Sequence, residues 1–212
     1  IDKINSGEIK ALWVVATNPI VSWINNLEFK KAAENLEFLV VADIYSDTET
    51  VKYCDLFLPS TNGLKKEGVL INTERRLSKI NPVLEKKENE LTDYDIMLGI
   101  GKALGMGKLL DKWKTPKDAF ETLRECTKGM PCDITGVSYE LLSNYQKGIQ
   151  WPFREGEKLK QDERRLFEDN KYYTPNCKAK FIYEDVATFP YEQSKEYPYL
   201  FNTSFNSLFF TF

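Results

Sequence analysis

Histidine is absent from the 212 residues. That excludes histidine-centred triads, histidine general bases and histidine–metal sites within the chain. No C-x-x-C pair occurs. The four cysteines, Cys54, Cys126, Cys132 and Cys177, are scattered, which argues against a self-contained zinc or iron–sulfur site. Their scatter suits a reducing, cytoplasmic setting with buried thiols. There is no excess of positive charge: the formal net charge is −3 and the pI is near 5.3. No basic footprint for nucleic acid follows from that balance. No apolar run approaches the ~18 residues of a membrane span, so no membrane insertion is expected. The opening Ile1-Asp2-Lys3-Ile4 is not a signal peptide and has no starting methionine. The chain reads as a piece of something longer. No internal repeat is present.

What is present is an apolar share of 42%, slightly under the usual ~45–50% but enough for a core in one or two domains. Three short apolar runs each release polar residues at their C-terminal ends. The first is Ala11-Leu12-Trp13-Val14-Val15, followed by Ala16-Thr17-Asn18-Pro19. Its continuous apolar character suits a strand buried on both faces. Pro19 pushes Asn18 away from the helical region. Asn18 then either closes a turn or offers its amide to a ligand. Residues 25–37 read as a helix with Leu27, Ala32, Ala33 and Leu36 as its apolar stripe. The second run, Phe38-Leu39-Val40-Val41, ends in Ala42-Asp43. Strand, helix and strand make a βαβ unit.

Asp43 has two readings. A carboxylate there can accept from ribose hydroxyls or take the paired N–H groups of guanine. It can equally cap a helix expected over residues 47–53. The first strand is not followed by G-x-G-x-x-G, so a pyrophosphate is not cradled in that way. The third run, Asp55-Leu56-Phe57-Leu58-Pro59, opens onto a polar loop, Ser60 to Gly68. Lys66 in that loop could place its ammonium on an anion, or be merely solvated. Asn72-Thr73-Glu74-Arg75-Arg76 follows; the arginines could hold an anionic group, form a buried network, or make a surface pair.

Residues 79–91 are charged and read as a loop. Thr92-Asp93-Tyr94-Asp95 caps a helix with Ile96, Ile100, Ala103 and Leu104 inward, stopped by Gly105-Met106-Gly107. Thr115-Pro116 starts another, with Ala119, Phe120, Leu123 and Cys126 as its stripe. A third spans Ser138 to Tyr145. After Gln146 the texture becomes irregular. The last nine residues, Ser204 to Phe212, hold four phenylalanines, an aggregation liability if exposed. The expected fold class is α/β: a Rossmann-like, mostly parallel sheet with flanking helices, then an irregular linker and the truncated start of a further β-rich domain. The corresponding ranges are 1–130, 131–195 and 196–212.

In their order, these motifs resemble the molybdopterin oxidoreductases, and among them the catalytic subunit of assimilatory-type nitrate reductases. The resemblance is carried by residues 11–19, by Val40-Val41-Ala42-Asp43-Ile44-Tyr45, and by Tyr53-Cys54-Asp55-Leu56-Phe57-Leu58-Pro59. Lys66-Glu67-Gly68, Asn72 and Glu74-Arg75-Arg76 extend it, with Gln150-Trp151-Pro152, Arg165-Leu166-Phe167 and Tyr173-Thr174-Pro175 downstream. It covers roughly residues 8 to 203.

The resemblance implies a bis-molybdopterin guanine dinucleotide carrying molybdenum, fed by an iron–sulfur cluster, and the two-electron reduction of nitrate to nitrite. Formate dehydrogenase is a sister activity. The chain is similar to the third of four domains, which grips one guanine dinucleotide, plus the linker to the fourth. Cofactor contacts are implied at Asn18, Ala42, Asp43, Lys66 and Asp93. At Ala42 the family often has serine, so only backbone can contribute there. No catalytic or metal-ligating residue is implied in this chain; the cluster cysteines and the molybdenum ligand belong to family segments not present here. The implied partners are the remaining domains of the parent subunit, with the electron donor unidentified. Beyond Asn202-Thr203 the family pattern ends, as a truncated or misread end would.

Overall fold

The computed structural model describes residues 1–159, 165–185 and 194–199. The chain divides into two compact units, Ile1–Arg165 and Leu166–Phe212.

The first unit opens with a single helical turn, α1 (Asp2–Asn5), and enters β1 (Ala11–Val15). The short α2 (Pro19–Ser22) has Asn18 at its N-cap and Pro19 in its first turn, where the missing N–H costs nothing. Next come α3 (Asn26–Glu34), β2 (Phe38–Asp43), a 3₁₀ turn at Val51–Tyr53, and β3 (Leu56–Pro59). The three strands form a parallel sheet in the order β1-β2-β3. Its register sets Val14 beside Val41 and Val41 beside Phe57. That face packs on Ile20, Phe29 and Ala33. Full burial of a side chain such as Leu39 or Val41 stabilises by about 1.5–3 kcal/mol.

Several expectations are corrected here. β2, the central strand, is buried from Leu39 to Asp43, with Phe38 at its start 43% exposed; β1 lies at the edge, and Trp13 and Val15 stay 37% and 41% exposed. In α3 Ala32 and Ala33 face inward as expected, joined by Phe29 in place of Leu27, which is 70% exposed. The larger apolar surface of Phe29 takes the core side and sets the helix phase. The helix expected over residues 47–53 shrinks to the 3₁₀ turn. There Asn18 Oδ1 takes the Thr50 N–H, at 3.1 Å, and the Thr50 hydroxyl, at 2.6 Å. Bonds across the loop replace those a helix would need. Three of the cysteines are exposed and Cys54 is half-buried, so the expectation of buried thiols fails.

Past a second 3₁₀ turn at Gly63–Lys65, the chain forms an antiparallel hairpin that no strand signal announced. It consists of β4 (Gly68–Ile71) and β5 (Arg76–Ile80). Asn72 closes its turn by accepting from the Arg76 N–H at 2.9 Å, and Arg75 takes the left-handed conformation with φ 65°. Thr92 and Asp95 form a reciprocal capping box at the start of α4 (Asp93–Gly101). Ile96 packs inward, whereas Leu104 is 73% exposed. The helix ends through a π-type turn, Lys102–Met106, in which Gly105 with φ 83° breaks the helical path, and a short α5 (Gly107–Leu110) follows.

A second capping box, Thr115 with Asp118, starts α6 (Pro116–Cys126). Its Phe120 is buried, while Leu123 and Cys126 face solvent. Finally α7 (Tyr139–Asn144) and β6 (Ile149–Gln150) complete a second sheet, ordered β4-β5-β6. Its core gathers Leu77, Phe120, Ile134, Val137, Leu142, Ile149 and Phe153. Residues 134–153, expected in a helix-and-linker segment, thus supply most of this core.

Arg75 donates to the Trp151 carbonyl, and its guanidinium lies 5.5 Å from the centre of the Trp151 ring. Arg76 pairs with Glu74 at 3.4 Å. Among the options left open for these arginines, Arg75 is a tie within the fold.

In the second unit, Phe167 stacks on Tyr172 with ring centroids 4.7 Å apart, and Thr174 Oγ1 donates to the Lys178 carbonyl at 2.7 Å. The start of a further domain is expected over residues 196–212, of which 200–212 lie outside the described residues. Among the described residues no helix is long and apolar enough to cross a membrane.

Candidate nucleotide-binding cleft

The C-terminal ends of the parallel strands open into a cleft of about 400 Å³, inside the usual ~300–1,000 Å³ range for small-molecule sites. In open α/β sheets this edge is where ligands bind. Asn18, Asp43, Lys66 and Asp93, four of the five residues implied by sequence, line this one cleft. Ala42 does not: it is fully buried, and its carbonyl accepts the Ala16 N–H at 2.9 Å.

Each lining residue is placed by a local feature. Ala16, directly after β1, has φ 51°. A left-handed alanine costs about 1–3 kcal/mol, and such strain clusters at functional sites. It turns the chain so that Thr17 and Asn18 reach the cleft wall. The Asn18 side chain is already engaged. Its amide nitrogen donates to Glu49 at 2.8 Å while its oxygen accepts twice from Thr50. The expected free amide is therefore replaced by a strut that holds residues 49–50 against the end of β1. The Asn18 hydrogen bond, first among the causes, holds the Glu49 carboxyl below the usual carboxylate range.

Asp43 is the last residue of β2, only 8% exposed, and its Oδ1 accepts the Tyr45 N–H at 3.0 Å. This short turn sets the exposed Tyr45 beside the carboxylate. From the opposite side Lys66 forms an ion pair with Asp93, the first residue of α4. Burial pushes the Asp93 carboxyl upward, but the Lys66 ammonium and the Ser60 hydroxyl outweigh it and hold the group below its ordinary range. The pair divides this cleft from a neighbouring one of about 390 Å³. Lys65, Lys86 and Lys114 line the second cleft; Lys65 is paired with Glu90 and Lys86 with Asp95, each at 2.6 Å.

The donor set suits a nucleotide: a buried carboxylate for a base edge, an ammonium for a phosphate, and an exposed aromatic ring. A further sign is Thr48. Among the described residues four buried side-chain polar atoms lack a hydrogen-bond partner, and the Thr48 hydroxyl is the one whose residue lines this cleft. Leaving such a group without a partner costs about 1–3 kcal/mol. Ala16 and Tyr45 stand in sequence motifs without a site role assigned to them, and Thr48 in none. An alanine carries no signal for a left-handed turn, and Thr48 was absorbed into the expected helix.

A family model described as molybdopterin oxidoreductase matches residues 1–103, the segment that builds this cleft. The chain belongs to the molybdopterin oxidoreductase family. Among curated relatives, it is 31% identical to a nitrate reductase of Synechocystis sp., over 91% of this chain and 27% of the relative. To the assimilatory nitrate reductase catalytic subunit of Bacillus subtilis it is 35% identical, over 74% of this chain and 22% of the relative. To the F420-dependent formate dehydrogenase subunit alpha of Methanocaldococcus jannaschii it is 32% identical, over 92% and 27%. The chain spans about a quarter of the length of these relatives. Among solved structures, acetylene hydratase from Pelobacter acetylenicus aligns with a TM-score of 0.49 and 20% identity, over 66% of this chain and 18% of that one.

Proposed function

We propose that this chain is the cofactor-binding portion of a molybdenum-dependent nitrate reductase, holding one guanine-dinucleotide arm of a bis-molybdopterin cofactor. The observation that carries the reading is the meeting of Asn18, Asp43, Lys66 and Asp93 around one cleft at the strand ends. Asp43 offers its carboxylate to the N1–H and N2–H of guanine. Lys66 offers an ammonium to the phosphates, exchanging Asp93 for them, and Asp93 then becomes available to ribose hydroxyls. Asn18 holds the wall. The chemistry supplied by the bound group is a two-electron oxygen-atom transfer from nitrate. This chain contributes grip and orientation, not metal or cluster ligands, and is inactive alone. The iron–sulfur cluster and the remaining domains of the parent subunit are its partners, in a cytoplasmic enzyme.

A second reading, the same portion of a formate dehydrogenase, is favoured by the 32% identity to the Methanocaldococcus jannaschii subunit. The nitrate reading draws its support from the Synechocystis and Bacillus subtilis relatives and from the Trp151-Pro152 and Tyr173-Thr174-Pro175 motifs. Titration of the chain with GMP tests the site, followed by ligand-observed NMR because one domain offers only part of the grip. Saturable binding that Asp43→Ala abolishes is expected; equal behaviour of the two proteins would favour a scaffold without a nucleotide site. Reading the flanking DNA for cluster-spaced cysteines tests membership of a larger subunit.

A further inference from the structure

Tyr45 is 62% exposed, lines the cleft, and is two residues beyond the buried carboxylate of Asp43. Among the described residues its ring is in no aromatic or cation contact. The Asp43 Oδ1 bond to the Tyr45 N–H, at 3.0 Å, fixes the backbone between the two side chains. A carboxylate alone can read the edge of a base but gives its faces nothing to lie against. A large apolar ring left in water at the cleft supplies that missing surface, since every base has a face that stacks. Resting on the nucleotide-site reading above, we propose that Tyr45 is the stacking platform for the purine whose Watson–Crick edge Asp43 reads.

Edge and face then make separable contributions. IMP lacks the 2-amino group and reports on the carboxylate, while UMP, with its smaller ring, reports on the stack. The test is titration of the full chain with GMP, IMP and UMP, comparing wild type with Tyr45→Ala, Tyr45→Phe and Asp43→Asn. Tyr45→Ala is expected to weaken GMP roughly tenfold, and Tyr45→Phe to leave it within twofold. The preference for GMP over IMP should survive in Tyr45→Ala and disappear in Asp43→Asn. The wild-type preference for GMP over UMP should narrow in Tyr45→Ala. Because the side chain is exposed, the tyrosine variants should melt with the wild type, and a melting curve checks it. Unchanged GMP affinity in Tyr45→Ala, with Asp43→Asn impaired, overturns the stacking role and leaves the nucleotide site standing. No saturable GMP binding to the wild-type chain overturns both.

Discussion

The two sheets of the first unit handle polar groups in opposite ways. At the parallel sheet, polar side chains gather at the strand ends and line a cleft: Asp43, Lys66 and Asp93. Around the antiparallel sheet most turn inward and are used by the fold, although the buried Tyr139 hydroxyl lacks a hydrogen-bond partner. Asp133, 4% exposed, accepts from the Gly129 N–H, the Thr135 N–H and the Thr135 hydroxyl, at 2.8, 2.9 and 2.6 Å. Thr127 Oγ1 accepts from the Ile134 N–H at 3.0 Å, and Arg75 clamps Trp151. Parallel strands point their ends the same way, so their loops converge on one edge. Antiparallel strands send loops to both ends, and each loop must satisfy itself. The polar groups named in the first region line a cleft, and those named in the second are used within the fold.

That division can be broken by experiment. The largest effect is expected from Leu77→Ala, because Leu77 is fully buried at the centre of the antiparallel core. Denaturant unfolding should show a loss of about 2–5 kcal/mol, while GMP affinity of the folded fraction stays unchanged. A matching loss of affinity would mean that the two regions are one cooperative device. Next comes Thr50→Val, which removes a buried hydroxyl that donates to Asn18 Oδ1 and accepts from the Ile20 N–H at 3.2 Å. It should cost about 1–3 kcal/mol and also weaken GMP, since the strut behind the cleft is cut; lost stability with intact binding would confine Asn18 to folding.

The smallest effect is confined to acid. Hydrogen bonds from Thr135 and Gly129 depress the Asp133 carboxyl to about 2. The folded state therefore binds fewer protons than the unfolded state between pH 4 and pH 2, and stability falls as pH falls through that window. Melting temperatures of wild type and Asp133→Asn, measured from pH 5 to pH 2, should converge toward acid. Parallel curves would assign acid sensitivity to another group.

Much of the cleft was legible because its strands are short apolar runs punctuated by Asn18-Pro19, Asp43 and Pro59. The helix starts are legible from local punctuation: Thr92-Asp93-Tyr94-Asp95 caps one, and Pro116 in the first turn marks the other. The hairpin is not. Its turn has no Asn-Gly or Asp-Gly; it depends on Arg75 in a left-handed conformation, stabilised by Trp151 far along the chain. Likewise β6 has two residues, too few for any period, and pairs only because Ile149 fits beside Leu77. Asn18 is expected at the end of the first strand and lines the cleft there, yet its partners Glu49 and Thr50 cannot be read from spacing. What distant residues decide, local patterns do not carry.

The late arrival of β6 bears on how the chain emerges from the ribosome. All the residues that line the cleft have been made once Asp93 is out, and the three parallel strands lie within Ala11–Pro59. The antiparallel sheet must wait for Ile149–Gln150 to reach Arg76 and Leu77. During that interval β5 has one bare flank, the kind of edge that pairs with other chains. A nascent chain halted between α4 and β6 would thus hold a finished pocket beside an unfinished and adhesive strand. Pausing in that stretch is where misassembly of this protein should concentrate.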